Sequence, residues 1–501
     1  MSVLSFDPVQ TLNAMQQIPR GFFIENPCVR VPARTVWIDR GYENRLRSER
    51  IENIDHYLAQ SFGFETVTLP GPFVEYRDWQ RVMDRSTFFK SDSYVCHGGI
   101  SHGSGRAVFI QDHQVKGVGR TQHAVLHDFY KDTNGFLGGR SAYLEICNEK
   151  LLNRLLTIKP IPNEFLLALP SKNKKLPPRF LLGRRGSPLR VSHLHYLLGV
   201  GQIYGETNRH LIWRRFLADL FNGPGEELSA RVLRRRFETM IDHALITLAE
   251  CRVFGIFLAN WPDNGDVFSR ALDCEDTRFD FVGGVRERGC DADFRRRTPM
   301  SWFLDFERNR EDGILGYSLQ TLKNAFLAMD SLAIGIGYDL NRRSSWLSWA
   351  ALEHRYRRAI LLSLGKLLGC GTRLQANQRC LTVSSLMAHF PLIPEKSSGQ
   401  IFNRSHFVDG YLNGLVAEAR GSGPSRNWQA GRDLGLALRK NYGTGKASNF
   451  SSRCRSYVRL LKLSPVDSLN QKTSMLSDEP EITSKLGNWL TEFQQGLDPG
   501  V

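Results

Sequence analysis

No run of about 20 consecutive apolar residues, the length that crosses a bilayer as a helix, occurs in this 501-residue chain, so no transmembrane segment is expected. The first residues, MSVLSFDPVQ, lack the basic-then-apolar order of a secretory signal, which makes the cytoplasm the expected location. Cys-x-x-Cys spacing is missing as well. Nine cysteines stand scattered at 28, 96, 147, 251, 274, 290, 370, 380 and 454, an odd number that suits reduced thiols better than a disulfide framework or a structural zinc. The P-loop spacing is absent, and no G-x-G-x-x-G lies between a strand and a helix. Internal repeats and long low-complexity tracts are lacking too. Acidic residues are in deficit: 66 Lys and Arg against 51 Asp and Glu leave a net charge of +15, a balance that draws polyanions and acidic partners. Basic runs such as Arg234-Arg235-Arg236 and Arg295-Arg296-Arg297 nevertheless have no zinc-finger spacing, recognition helix or aromatic ribonucleoprotein motif beside them. They read as solvated helix faces, and ATP, an acidic peptide or an acidic protein is expected as the partner, not nucleic acid.

What is present is a soluble composition, 41% hydrophobic and 23% charged, able to bury one large bilobal core or about two to three domains. Prolines at 8, 19, 27, 32, 70 and 72 punctuate short apolar pieces, so residues 1–93 read as an irregular N-terminal cap. From Tyr94 the texture becomes turn-rich β. Arg106 to Ile110 and His113 to Lys116 read as two strands of a hairpin. Gly138 to Leu156 then shifts to helical spacing, with Leu144, Cys147, Leu151, Leu152 and Leu155 recurring at three and four, which puts Glu145 on a helix. Strand pieces follow at Phe165 to Ala168 and Phe180 to Leu182. Helical stretches are expected at about 192–222, 227–253, 315–335 and 345–368, with a strand-like island from Asp266 to Val282 between them. The fold class expected is α+β: a bilobal, protein-kinase-like fold with a β-containing N-lobe over 94–189 and a mostly helical C-lobe over 190–420. A glycine-serine stretch after Arg420 marks off 421–501 as a peripheral tail.

Phosphoryl or nucleotidyl transfer asks for a cation on the phosphates, a carboxylate to orient it and oxygen donors for a metal. Candidates for each occur in order. Gly98 to Gly105, with Gly103 and Gly105 ahead of Arg106, offers backbone that can approach phosphate oxygens closely, and serves equally well as a plain hairpin with a bulge. Lys116 closes a strand and leads into Gly117-Val118-Gly119-Arg120-Thr121, a loop suited to phosphates. Glu145 is its candidate partner, with Glu149 one helical turn later competing for the role. In the turn Asn260-Trp-Pro-Asp263-Asn264 a carboxylate and an amide stand side by side, suited to a general base and a metal ligand. Asp280, between Phe279 and Phe281 and ahead of Gly283-Gly284, resembles an Asp-Phe-Gly metal element. Arg184, Arg185 and Arg190 supply planar guanidinium forks near His193 and His195. His193 itself reads as a buried structural imidazole.

Together these segments resemble the selenoprotein-O family, pseudokinase-fold proteins that bind ATP in a reversed orientation and transfer AMP to protein hydroxyls. His102-Gly-Ser-Gly-Arg-Ala-Val108 is similar to the family's Leu-Gly-Asp-Gly-Arg-Ala, and Gln114-Val-Lys116-Gly-Val-Gly-Arg-Thr121 to its Gln-Leu-Lys-Gly-Ala-Gly-x-Thr. Leu189-Arg190-Val-Ser-His193-Leu-His-Tyr196 resembles its Val-Arg-x-Gly-His-Phe-x-Tyr, Asn260 to Asn264 its Asn-Thr-Asp-Asn with one residue inserted, and Phe279-Asp280-Phe281 its Phe-Asp-Phe/Tyr-Gly. The resemblance covers roughly residues 94–310. It implies that Lys116 and Glu145 orient the phosphates, that Asp263 is the base, that Asn264 and Asp280 bind Mg²⁺, and that Arg184 or Arg185 with Arg190 holds phosphates of ATP. The family's Thr-Pro-Tyr-Ser-Arg is here Thr121-Gln-His-Ala-Val, and no redox cysteine or selenocysteine tail is present, so a different acceptor is expected. By length, basic character and degenerate kinase-like core the chain also resembles microcin maturation proteins of the MceJ/MchC type. That resemblance implies an acyltransferase-like partner protein, and ATP-dependent joining of a precursor peptide's C-terminal carboxylate to a glucosylated catecholate siderophore. A catalytically inactive nucleotide-binding scaffold is the third reading.

Overall fold

The computed structural model describes residues 8–17, 23–67, 83–92, 94–96, 99–101, 105–121, 135–170, 178–186, 256–257, 278–279 and 481–497, with isolated positions between 193 and 359. In chain order these form α1 (Pro8–Gln16), β1 (Phe23–Arg30), β2 (Arg34–Ile38), α2 (Arg40–Ser48), α3 (Ile54–Phe62), β3 (Phe64–Thr66) and β4 (Thr87–Asp92). Then come β5 (Tyr94–Cys96), β6 (Gly99–Ser101), β7 (Ala107–Ile110), β8 (His113–Lys116), α4 (Gly139–Leu155), β9 (Asn163–Leu169) and β10 (Arg179–Arg185). The short strands β11 (Ile256–Phe257) and β12 (Arg278–Phe279) and the helix α5 (Glu481–Leu497) complete the set.

An eight-stranded antiparallel sheet in the order β2-β9-β10-β8-β7-β4-β1-β3 organises the described residues. At its centre lies the expected β7–β8 hairpin, turned tightly through Gln111, which takes a positive φ of 55°. The cap expected over 1–93 is not irregular where it is described: residues 23–67 and 83–92 supply β1 to β4 of this same sheet. Pro27 argued against a strand, yet it sits inside β1. Its carbonyl accepts from Val67 at 2.8 Å on the β3 side, so its nitrogen, unable to donate, faces the place where β3 ends. The sheet coils on itself, since Thr66 at the β3 edge donates to the Val118 carbonyl beyond β8 at 2.7 Å and Glu65 pairs with Arg179 of β10 at 2.5 Å.

Each face has its own cover. Side chains alternate along strands, and the face carrying Val108, Ile110, Val115, Phe165, Leu167 and Leu181 packs with Tyr42 and Leu46 of α2 and Leu58 and Phe62 of α3 into one core. Asp39 caps α2 by accepting from the Gly41 and Tyr42 amides, and Asn53 caps α3 by accepting from His56. The opposite face of β2, β9 and β10 is covered by α4 and by α5. Helix α5 buries Leu486, Leu490, Phe493 and Leu497, one stripe at helical spacing. The stretch 421–501, expected as a peripheral tail, therefore contains a docked helix. No described helix is long and apolar enough to cross a membrane.

Candidate functional site

Four-residue alternation on β8 aims Gln114 and Lys116 at the α4 side of the sheet and His113 and Val115 at the core. Lys116 is registered between Ala107 of β7 and Leu182 of β10, and only 8% of it is exposed. An ammonium so enclosed needs a counter-charge. Glu145, a turn and a half into α4, provides it: Lys116 Nζ lies 3.2 Å from Glu145 Oε2, with the carboxylate side chain 2% exposed. The competing Glu149 is directed elsewhere. It accepts from the Asn163 amide at 3.2 Å and from Asn153, and lies 3.4 Å from Lys150 Nζ; burial, working against these contacts, pushes its carboxyl above the usual range. Lys150 in turn reaches Asp39 at 2.6 Å, tying the cap of α2 to α4.

The backbone on either side of Lys116 is constrained by close approaches. Gly117, at φ +97°, donates from its amide to the Arg106 carbonyl at 2.7 Å, and a side chain there would collide with the Phe180 carbonyl. Gly119, at φ +103°, donates to the Gly135 carbonyl, and Thr121 donates to the Gly105 carbonyl, both at 3.0 Å. Gly105 has φ +71°. The loop thus runs back along Gly105 and Arg106 and continues the hairpin past Lys116. A purely structural need explains Gly117 and Gly119, and the result is a ridge of glycine backbone beside a buried ammonium.

Of the three arginines expected at the phosphates, the two among the described residues are separated. Arg184 is registered opposite Gln114 on the Lys116 face and donates from Nε to Gln114 Oε1 at 2.7 Å. Arg185 is registered opposite His113 on the other face and donates to Asp112 Oδ2 at 2.8 Å, away from Lys116. His193 is fully buried, as expected, and its Nε2 lies 3.3 Å from Asp92 Oδ2. Asp92 was not singled out in the sequence. The Lys90–Phe109 pairing carries it toward Ala107, so it lies on the Lys116 face two strand spacings, about 10 Å, from Lys116. Nothing in the segment Thr87–Asp92 distinguishes that aspartate from an ordinary strand-end residue.

On the core face, sequence reasoning missed a second polar group. His113 Nε2 lies 2.8 Å from Glu164 Oε2, which also accepts from Arg45 at 2.9 Å. Asp112 Oδ1 stands 2.6 Å from His113 Nδ1 but off the line of its N–H, so that contact is electrostatic rather than an aligned hydrogen bond. Burial alone would push the imidazole down, but Asp112 and Glu164 outweigh it and hold His113 above its ordinary value. Close contact with the His113 imidazole, and then its charge and that of Arg185, holds the Asp112 carboxyl well below the usual carboxylate range against the effect of burial.

Gly103, Arg190, Asp263, Asn264 and Asp280 lie outside the described residues. Nearest to Asp280 in sequence, the described pair β11–β12 registers Phe279 opposite Ile256. Among the described residues no group of three or more His, Cys, Asp or Glu side chains is arranged to hold a metal. What the described site offers chemically is a buried, oriented ammonium, a second cation at Arg184 and a glycine backbone with little side-chain bulk. Compared with protein-family models and with curated proteins, the chain matches none of them.

Proposed function

We propose that residues 87–185 form the nucleotide-binding lobe of a kinase-like, ATP- and Mg²⁺-dependent transferase. The buried Lys116–Glu145 pair carries this reading. A lysine on a strand paired with a glutamate on the following helix is how protein kinases orient the nucleotide's phosphates. The order β4-β7-β8-β10-β9, with the glycine-rich segment between β4 and β7 and α4 inserted between β8 and β9, supports it further. Stability alone is a poor reason for the pair, because a buried ion pair gives little net stabilisation over well-packed apolar residues.

In this reading Lys116 binds the phosphates, held in place by Glu145, and Arg184 adds charge on the same face. Gly105 and Gly117 let backbone approach the phosphate oxygens. ATP would supply the leaving group, Asn264 and Asp280 would hold Mg²⁺, which would neutralise phosphate charge, and Asp263 would serve as the base where the acceptor is a hydroxyl, an ionised carboxylate having no proton to give up. The acceptor is a peptide's C-terminal carboxylate. Its oxygen displaces pyrophosphate or ADP, giving an acyl adenylate or acyl phosphate that an acyltransferase-like partner passes to a hydroxyl of a glucosylated catecholate siderophore. The chain's resemblance to microcin maturation proteins and its net charge of +15, suited to anionic substrates, support this choice of acceptor.

The deciding experiment measures Mg·ATP affinity and, with candidate peptides, the nucleotide product. Lys116→Ala and Glu145→Gln should each weaken binding, with Lys116→Ala costing turnover on the order of 10²-fold or more. Wild-type affinity and turnover in Lys116→Ala would remove the site from this face. AMP formed with protein hydroxyls as acceptors would favour protein adenylylation instead, and nucleotide binding without any product a scaffold.

A further inference from the structure

Helix α5 meets the Glu145 helix at its N-terminal end. Gly139, the first residue of α4, lies in a junction where an added Cβ would sit 3.2 Å from the Phe180 ring of β10 and 3.8 Å from Leu486 of α5. One turn on, Tyr143 meets Trp489 edge to face, ring centroids 6.3 Å apart. On its other flank α5 is anchored to strand β2: Trp37 Nε1 donates to Gln494 Oε1 at 3.3 Å, and Gly487 is so close that a Cβ would stand 2.6 Å from the Val36 carbonyl oxygen. The helix therefore bridges the β2 edge of the sheet and the turn of α4 that precedes Glu145. Because α4 is buried along most of its length between sheet and helix, a change in how α5 docks must move α4 or open a gap beside it.

We infer that α5 is a positioning element for the nucleotide site: through Leu486 and Trp489 it fixes the helix that presents Glu145, and so fixes the Lys116 ammonium at the phosphates. This rests on the proposed nucleotide role of Lys116. Leu486, Trp489 and Gly487 touch no nucleotide in this arrangement; they act through Tyr143, Gly139 and the β2 backbone. A shift of under 1 Å in α4 is enough to lengthen the 3.2 Å contact beyond hydrogen-bond range.

The test is a double-mutant cycle on the full-length chain, read as Mg·ATP affinity with a fluorescent nucleotide titrated to millimolar concentration. Two docking variants are used. Gly487→Ala puts a methyl group against the Val36 carbonyl while favouring the helix itself, and Trp489→Ala removes a half-buried ring, so neither needs to unfold the core; circular dichroism and thermal unfolding verify this. Each should weaken nucleotide binding about tenfold in the wild-type background and less than about twofold once Glu145→Gln is present, because coupled residues are non-additive. A merely structural helix would give the same loss in both backgrounds. Lys116→Ala serves as the reference. If Lys116→Ala leaves affinity intact, the nucleotide reading fails and this inference with it. If Lys116→Ala abolishes binding while the docking variants keep wild-type affinity, or lose it equally with Glu145→Gln, the inference alone is wrong.

Discussion

At the scale of single residues, Lys116 and His113 are two of the buried basic side chains among the described residues, and they differ in their carboxylate partners. Lys116 sits against one carboxylate, whereas His113 is charged because two carboxylates, Asp112 and Glu164, overcome its burial. With the folded pKa raised above the ordinary 6.5, the native state holds a proton there that the unfolded chain releases. The contribution of His113 to stability is therefore complete below pH 6.5 and is lost as pH rises through the folded value. Asp112 runs the other way: its contribution is complete above its ordinary 3.8 and is lost only as pH falls below that. Denaturant midpoints measured from pH 4 to pH 9 should accordingly decline above about 6.5 in the wild type. His113→Gln should remove that decline and cost about 3 kcal/mol at pH 6, since it leaves Asp112 and Glu164 without the imidazolium between them. An unchanged pH slope in the variant would place the titration elsewhere. Arg45 and Arg185 still neutralise the two carboxylates in part, which keeps the loss finite.

At the scale of elements, legibility followed local signal. The β7–β8 hairpin could be read from its apolar run and short turn, and α4 from leucines recurring at three and four, and with them came the Lys116–Glu145 pair. Glu145 was the expected partner with Glu149 in competition; both project from α4, and the docking of that helix brings Glu145 to Lys116 and Glu149 to Asn163. Strands β1 and β3 were illegible, since Glu25, Asn26 and Pro27 break the apolar pattern and the compensation is tertiary, through Asn26 to Ser91 at 2.8 Å and Pro27 to Val67. Helix α5 has a clear stripe, but its partners Trp37 and Tyr143 are hundreds of residues distant, and no local pattern encodes such a contact. Glycines divide in the same way. Gly117→Ala should destabilise the protein by about 2 kcal/mol, because it combines a positive φ with collision against the Phe180 carbonyl. Gly138, the N-cap of α4, has extended backbone and open space around it, so Gly138→Ser should be neutral or stabilise by a few tenths of a kcal/mol. Equal thermal shifts in the two variants would contradict this distinction.

At the scale of the whole molecule, the proposed phosphoryl-transfer site would draw its cations from the Lys116 face and its metal ligands from elsewhere in the chain. In that proposal Lys116 and Arg184 would compensate phosphate charge from the sheet, and Asp263, Asn264 and Asp280 in the later half of the sequence would supply the base and the hard oxygen donors that Mg²⁺ takes. Asp280 is expected to bind metal and Asp263 to act on the acceptor, and the two roles separate experimentally. Asp280→Asn should weaken nucleotide binding in Mg²⁺ or Mn²⁺ and leave the metal-free affinity unchanged, since it removes a metal ligand rather than a phosphate contact. Asp263→Asn should keep Mg·ATP affinity, since a base that touches the acceptor contributes little to holding ATP; transfer to a hydroxyl should fall on the order of 10²-fold or more, whereas transfer to an already ionised carboxylate should be spared. Calorimetry with and without Mg²⁺ on both variants decides the matter: tight ATP binding that ignores both the metal and Asp280 would remove the metal assignment, and leave Lys116 and Arg184 as the anion site of a protein that binds nucleotide without turning it over.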